Sequence, residues 1–169
     1  GFKVRLWGAF PKYVEEVRRK RENKKFLPGF KIPSNIQPTA DIREACLKAD
    51  IIVLAVPSQY VRSVLQKIKK DKIHHKTFVT VAKGIETKTL KVMSQVIHEE
   101  LGRVSQCVLS GPTIAREVAL KMPAAAAVAS SNSELSARVR KIFTTDYFTV
   151  FQSDDSMGVE LGGSLKIVI

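Results

Sequence analysis

Short β-branched or aromatic runs alternate with amphipathic stretches along the whole chain. Val4-Arg5-Leu6-Trp7 reads as a strand, and Pro11 then sits where the first turn of a helix tolerates it, ahead of a helix from Tyr13 to Arg21. The stretch from Asn23 to Thr39 holds Pro28, Gly29, Pro33 and Pro38 and is expected to be an ordered loop. Asp41 is placed to cap a helix ending near Lys48. Ile51-Ile52-Val53-Leu54-Ala55-Val56 is continuously apolar until Pro57, which fits a strand buried on both faces of a parallel sheet.

The same alternation continues. Ser58 is expected to cap a helix to about Lys70, followed by a strand at Phe78–Ala82 and an amphipathic helix from Thr89 to Leu101. Cys107–Ser110 reads as a strand, Ile114–Leu120 as a short helix and Ala124–Ser130 as an Ala- and Val-rich strand. Ser133–Thr144 reads as helix, Thr149–Phe151 as a last short strand, and a helix opens at Val159. Strands alternating with helices predict an α/β domain with a mostly parallel sheet. Ligands of such sheets bind outside the carboxyl ends of the strands. Those ends read Trp7-Gly8-Ala9, Val56-Pro57-Ser58-Gln59-Tyr60, Ala82-Lys83-Gly84 and Ser110-Gly111-Pro112-Thr113.

Composition narrows the classes. With 169 residues, 44% hydrophobic and 26% charged, the chain suits one globular domain and no collagen-like, coiled-coil or low-complexity class. No apolar run reaches the roughly 18 residues of a membrane span. Two cysteines, Cys46 and Cys107, make neither a disulfide framework nor a zinc knuckle, so a reducing compartment is expected; the strand-like start at Gly1 gives no sign of a signal peptide. His74, His75 and His98 lack ligand spacing, and no metal is expected.

Charge is concentrated at one end. The net charge is +12, and residues 1–80 carry 18 basic against seven acidic side chains. A basic surface suits anionic partners. The densest run, Arg18–Lys25, reads either as a nucleic-acid patch or as a solvated helix end. It lacks aromatic interleaving and any surrounding nucleic-acid module, which favours the second.

Five segments in order carry a family resemblance. They are Glu22-Asn23-Lys24-Lys25-Phe26-Leu27-Pro28-Gly29, Ala55-Val56-Pro57-Ser58-Gln59-Tyr60, Ala82-Lys83-Gly84-Ile85-Glu86, the run from Leu109 to Val118, and Gly158-Val159-Glu160-Leu161-Gly162-Gly163-Ser164-Leu165-Lys166. Together they resemble the N-terminal domain of NAD(P)-dependent glycerol-3-phosphate dehydrogenase of the bacterial type. The resemblance covers essentially the whole chain and implies a Rossmann-like, doubly wound, mostly parallel sheet. Family members open with a strand, a G-x-G-x-x-G turn and a helix ahead of the segment matching Gly1, and continue past Lys166 into an all-helical substrate domain. The G-x-G-x-x-G motif is not found in these residues, so 1–169 is expected to be an incomplete dinucleotide-binding domain, inactive alone.

The resemblance also implies chemistry: reversible reduction of dihydroxyacetone phosphate to sn-glycerol 3-phosphate with NADH or NADPH, in a cytoplasmic homodimer at the start of phospholipid synthesis. Lys166 matches the family's catalytic lysine, acting as general acid in reduction and general base in oxidation. Lys83 matches the second lysine, at substrate and cofactor. Two lysines converging on one site depress each other's pKa, which suits proton transfer near neutral pH. Gly111 and Thr113 match the substrate-contacting turn, the glycine admitting a ligand to the backbone and the threonine donating a hydroxyl. Tyr60 and Ala115 match positions that pack on the cofactor, although plain core packing would equally explain Tyr60. Glu117 reads either as a partner for a site lysine or as a surface carboxylate.

Three positions depart from the family pattern. Ile167 stands where asparagine is usual, Ala9-Phe10 lack the Arg or His that meets the adenosine ribose, and Ser164 replaces a common alanine, a change expected to be harmless. No acidic residue replaces the ribose contact, so NAD and NADP both stay open. Two other readings remain: a different two-domain NAD(P)-dependent dehydrogenase, and a basic non-catalytic nucleic-acid-binding module.

Overall fold

The computed structural model describes residues 2–166, so the departure at Ile167 lies outside the described residues. The chain divides into two compact units, Gly1–Ala49 and Asp50–Ile169.

In the first unit, β1 (Val4–Trp7) is followed by α1 (Pro11–Lys20), which crosses over to the parallel strand β4 (Ile36–Thr39). Pro11 opens α1, and Val14 and Val17, three residues apart, form its buried face. Between them lies a feature that the proline count hides. Residues expected to be loop form β2 (Glu22–Asn23) and β3 (Leu27–Lys31), an antiparallel hairpin, before β4 itself. Proline cannot donate to a ladder, but a strand with one neighbour does not need every donor, and so Pro28 and Pro38 are accommodated. The Tyr13 hydroxyl donates to Asn23 Oδ1 and accepts from Lys25 N–H, which pins the hairpin to α1. α2 (Ile42–Leu47) begins as expected, with Asp41 accepting from the N–H groups of Arg43 and Glu44.

Within this unit three members of the dense basic run, Arg18, Lys20 and Arg21, are engaged. Arg18 donates to the Pro38 carbonyl and pairs with Glu15, Lys20 pairs with Glu16, and Arg21 donates to the carbonyls of Ile32 and Pro33.

The second unit is a five-stranded sheet in the order β5 (Ile51–Leu54), β6 (Thr77–Thr80), β7 (Ser105–Ser110), β8 (Ala124–Ala129), β9 (Phe148–Ser153). β5, β6 and β7 are parallel and joined through α3 (Ser58–Ile68) and α4 (Met93–Leu101), which pack on each other. Every residue of β6 is buried, the signature of a strand covered on both faces. Val79, Cys107, Leu109, Ala126, Val128 and Val150 meet Val139 of α6 (Ser133–Phe143) in one core cluster. By alternation Phe78 and Val108 turn to the other face, where they are also buried.

Direction then reverses: β8 runs antiparallel to β7, and β9 parallel to β8. α5 (Ala115–Ala119) lies in the connection between β7 and β8. β9 therefore ends away from the carboxyl ends of β5–β7, and α7 (Ser156–Leu165) returns toward them.

Three helix starts differ from expectation. The N-cap of α3 is Pro57, with no side-chain cap; Ser58 is the first helical residue, and its hydroxyl lies beside Gly84. α4 begins at Met93 rather than Thr89, because Leu90 adopts φ 56°, incompatible with a continuing right-handed helix. α7 begins three residues early, because the Asp155 side chain accepts from Gly158 N–H.

Candidate functional site

The carboxyl ends of β6 and β7 and the end of α7 meet in the second unit. Lys83, three residues beyond β6, donates from Nζ to the Gly111 carbonyl at 2.6 Å and to Thr113 Oγ1 at 3.4 Å. Lys166, at the end of α7, donates from Nζ to the Thr113 carbonyl at 3.4 Å. Thr113 thus holds both lysines, one through its side chain and one through its backbone. Its hydroxyl accepts from Lys83, which leaves its proton to donate to a third group. Burial, and then the charge of Lys166, pushes the Lys83 ammonium below the ordinary lysine range. The mutual effect expected of converging lysines is therefore visible at Lys83.

Two glycines let these segments approach. Gly84 has φ 128°, and a Cβ there would lie 2.4 Å from Ser58 Oγ. Gly111 has a packing reason of its own, since a Cβ would meet the Ala125 carbonyl oxygen at 2.5 Å across the β7–β8 reversal. Its carbonyl, rather than its open side, is what touches Lys83.

The Lys83 turn is clamped from α3. Gln59 donates to the Ile85 carbonyl at 2.7 Å and accepts from Thr87 N–H and hydroxyl. Arg62 makes a two-pronged contact with Glu86, both bonds 2.8 Å, and reaches Glu99 and Glu100 on α4 at 2.7 Å each. Glu86 is only 5% exposed, and the Arg62 guanidinium holds its carboxyl down at about 2. On the other side, Glu160 of α7 accepts from the N–H and hydroxyl of Ser94 at the start of α4, and burial pushes its pKa up. The Ser164 hydroxyl accepts from Gly84 N–H at 3.0 Å and donates to the Glu160 carbonyl at 2.8 Å.

Lys83, Lys166, Gly111 and Thr113 are therefore brought together. Tyr60 is 62% exposed on α3, which removes core packing as its explanation, and Ala115 is exposed at the start of α5. Glu117 is half-buried on α5 and is not among the groups that shift Lys83. Trp7-Gly8-Ala9 belongs to the first unit. Sequence reading missed the supports: Arg62, Glu160 and Ser94. Glu86 and Glu160 both stand inside recurring motifs, and a carboxylate at a buried motif position was the available signal. Among the described residues, no group of three or more His, Cys, Asp or Glu is placed to hold a metal ion. No described helix is long and apolar enough to cross a membrane.

The family described as NAD-dependent glycerol-3-phosphate dehydrogenase N-terminus matches residues 1–136. The chain belongs to this family. Among its relatives, a glycerol-3-phosphate dehydrogenase [NAD(P)+] of Carboxydothermus hydrogenoformans is 44% identical over 100% of this chain and 51% of its own length. One of Geobacter metallireducens is 43% identical over 100% of this chain and 51% of its own. The crystal structure of glycerol-3-phosphate dehydrogenase from Coxiella burnetii superposes with a TM-score of 0.88 at 31% identity, covering 95% of this chain and 49% of that one. The Plasmodium falciparum glycerol-3-phosphate dehydrogenase structure gives 0.88 at 30% identity, covering 96% and 47%. The chain spans about half the length of the glycerol-3-phosphate dehydrogenases it matches, and shares with the solved ones the Rossmann-like α/β fold expected from its resemblance.

Proposed function

We propose that this domain is the dinucleotide-binding half of an enzyme that interconverts dihydroxyacetone phosphate and sn-glycerol 3-phosphate, using NADH or NADPH. The observation that carries the reading is the meeting of Lys83 and Lys166 on Thr113 at the carboxyl ends of the parallel strands. The whole protein is proposed to add a strand, a phosphate-binding loop and a helix before residue 1 and a helical substrate domain after residue 169. In support, among the described residues β5 has one strand neighbour, and Val53 in its middle is 44% exposed, whereas every residue of the adjacent β6 is buried. A cytoplasmic homodimer serving lipid synthesis completes the proposal.

The residues present fit part of a dinucleotide site. Tyr60 offers an exposed ring to cover the cofactor, Ala115 a small exposed surface, and Lys83 a cation held at Gly111 and Thr113. When bound, the cofactor supplies the hydride. Lys166 is exposed and can exchange protons with water; it gives a proton to the alkoxide formed in reduction and takes it back in oxidation. Lys83, fixed by Gly111 and Thr113, stabilises charge on the same oxygen, and the Thr113 hydroxyl donates to the substrate. The depressed pKa of Lys83 favours a second assignment, in which Lys83 gives the proton and Lys166 holds the charge.

The test is the absorbance loss of NADH when dihydroxyacetone phosphate is added to the full-length protein, with Lys83→Ala and Lys166→Ala alongside. A loss of about 10²-fold or more in kcat for each variant is expected. The variant that abolishes the alkaline limb of the pH profile identifies the proton donor. A folded full-length protein that oxidises neither NADH nor NADPH would exclude this reaction.

A further inference from the structure

We propose that Ser164 is a positioning residue that sets the spacing between Lys83 and Lys166. The inference rests on the reading of these two lysines as the reacting pair. Ser164 lies two residues before Lys166, and its partner Gly84 directly follows Lys83, so one hydroxyl joins the two lysine-bearing segments across 80 residues of sequence.

The direction of the bonds makes the joint specific. A serine within a helix that donates to the carbonyl four residues earlier has its only proton committed. Ser164 does this to Glu160, so its oxygen can only accept, and the donor in front of it is Gly84 N–H. Both sides of the joint are stiff. Gly84 is held at φ 128°, a backbone conformation that side-chain-bearing residues rarely adopt, and it sits against Ser58. α7 is close behind it: a Cβ on Gly163 would lie 2.1 Å from Ser110 Oγ and 3.7 Å from Lys83 Cγ. Thr113 receives both lysine ammonium groups, at the ends of flexible side chains, while the anchors on α3 and α4 act on each segment separately. Gln59 and Arg62 tie the Lys83 turn to α3 and α4, while Glu160 ties α7 to Ser94. Ser164 ties the turn to α7, and a residue expected to be a harmless replacement for alanine acquires a task.

Without the hydroxyl, Gly84 N–H loses its acceptor and the turn is free to separate from α7. Two changes at Lys83 follow: more water around the ammonium and a weaker field from Lys166. Burial and Lys166 are the causes that depress Lys83, and the groups it touches from the β7–α5 connection, the Gly111 carbonyl and the Thr113 hydroxyl, are neutral. Both changes therefore raise its pKa.

The test compares full-length wild type, Ser164→Ala and Ser164→Thr by three readouts: Gly84 amide exchange, the pH dependence of Lys83 acylation followed by mass spectrometry, and kcat and KM for dihydroxyacetone phosphate. Ser164→Ala is expected to speed Gly84 exchange about tenfold, the loss of one hydrogen bond, and to move the Lys83 titration upward. It should lower kcat about tenfold with KM changed less than about twofold, as misplacement of a reacting group does. Ser164→Thr keeps the hydroxyl and should restore all three. Wild-type exchange and wild-type Lys83 titration in Ser164→Ala would overturn the proposal. A wild-type protein inactive on dihydroxyacetone phosphate, whose Gly84 and Lys83 still respond to Ser164, would remove the reaction and leave the positioning role standing.

Discussion

Glu86 and Glu160 are buried to the same depth, 5% and 6% exposed, and each anchors a segment that carries one of the lysines. Their environments push them in opposite directions. Glu86 faces the Arg62 guanidinium and is held down at about 2. Glu160 is pushed up by burial, against the bonds it accepts from Ser94 and Met93. Burial alone does not decide the charge state of a carboxyl; a cation within contact distance does. The Lys83 turn is thus fastened by an ion pair and α7 by hydrogen bonds to the start of a helix, so acid and base should loosen the two sides of the site separately.

The largest expected effect breaks the charged anchor. Arg62→Ala leaves Glu86 buried without its cation and should cost about 3 kcal/mol of unfolding free energy at pH 7, read from urea denaturation of the full-length protein. Since Glu86 titrates at about 2 in the fold against 4.5 ordinarily, its contribution is complete above 4.5 and is lost as pH falls through 2. The gap between wild type and variant should therefore close by pH 2; a gap of equal size at pH 7 and pH 2 would show that the ion pair is not the anchor.

The anchor without a cation beside it should behave in the opposite way. A carboxyl whose pKa is raised in the fold favours folding below its ordinary pKa, and that contribution is lost as pH rises through the raised value. Glu160→Gln keeps an acceptor for Ser94 N–H and removes the charge, so its melting temperature should fall less than that of wild type as pH rises from 5 to 8. Glu160→Ala removes the acceptor at the α4 N-terminus and should cost about 1 kcal/mol at pH 5, shrinking as pH rises because the titrating group is gone. A glutamine variant as unstable as the alanine variant would mean that packing, rather than titration, dominates at this position.

How far the sequence discloses this site depends on the distance over which each feature is written. The Asp41 cap and a strand opening at Ile51 are local and are found where expected. The strand ends at Leu54, however, and among the described residues it is not buried on both faces, since Val53 lies exposed on an edge strand. Lys83 and Lys166 were legible because each stands in a short segment whose residues resemble a family's, and they meet at Thr113. The hairpin at residues 22–31 was hidden because Pro28 and Gly29 read as loop residues, whereas the tolerance of a strand with one neighbour for proline is a property of sheet position. The direction of β8 was not readable at all, because Ala124–Ala129 has the same period either way. Arg62, three carboxylates from two other segments, and the Ser94–Glu160 contact across 66 residues arise only when helices pack.

The finest comparison deletes one hydroxyl from each anchor. Ser94 donates from both N–H and Oγ to Glu160, while Thr89 donates from Oγ to Glu86 beside Arg62. Ser94→Ala removes one of the bonds that oppose burial, so the Glu160 pKa should rise further and the loss of stability, about 1 kcal/mol, should grow between pH 5 and 8 as the charged form loses its support. Thr89→Val removes a bond of the same kind, but Arg62 still dominates Glu86 and keeps it charged throughout that range. Its loss should be of similar size or smaller and flat with pH, appearing in the titration only in acid, where the Glu86 pKa moves up from about 2. Urea denaturation of both variants at pH 5 and pH 8 separates the two cases. Equal slopes would mean that depth of burial, and not the presence or absence of a cation, governs both carboxyls; unequal slopes would tie each anchor's response to the charge beside it.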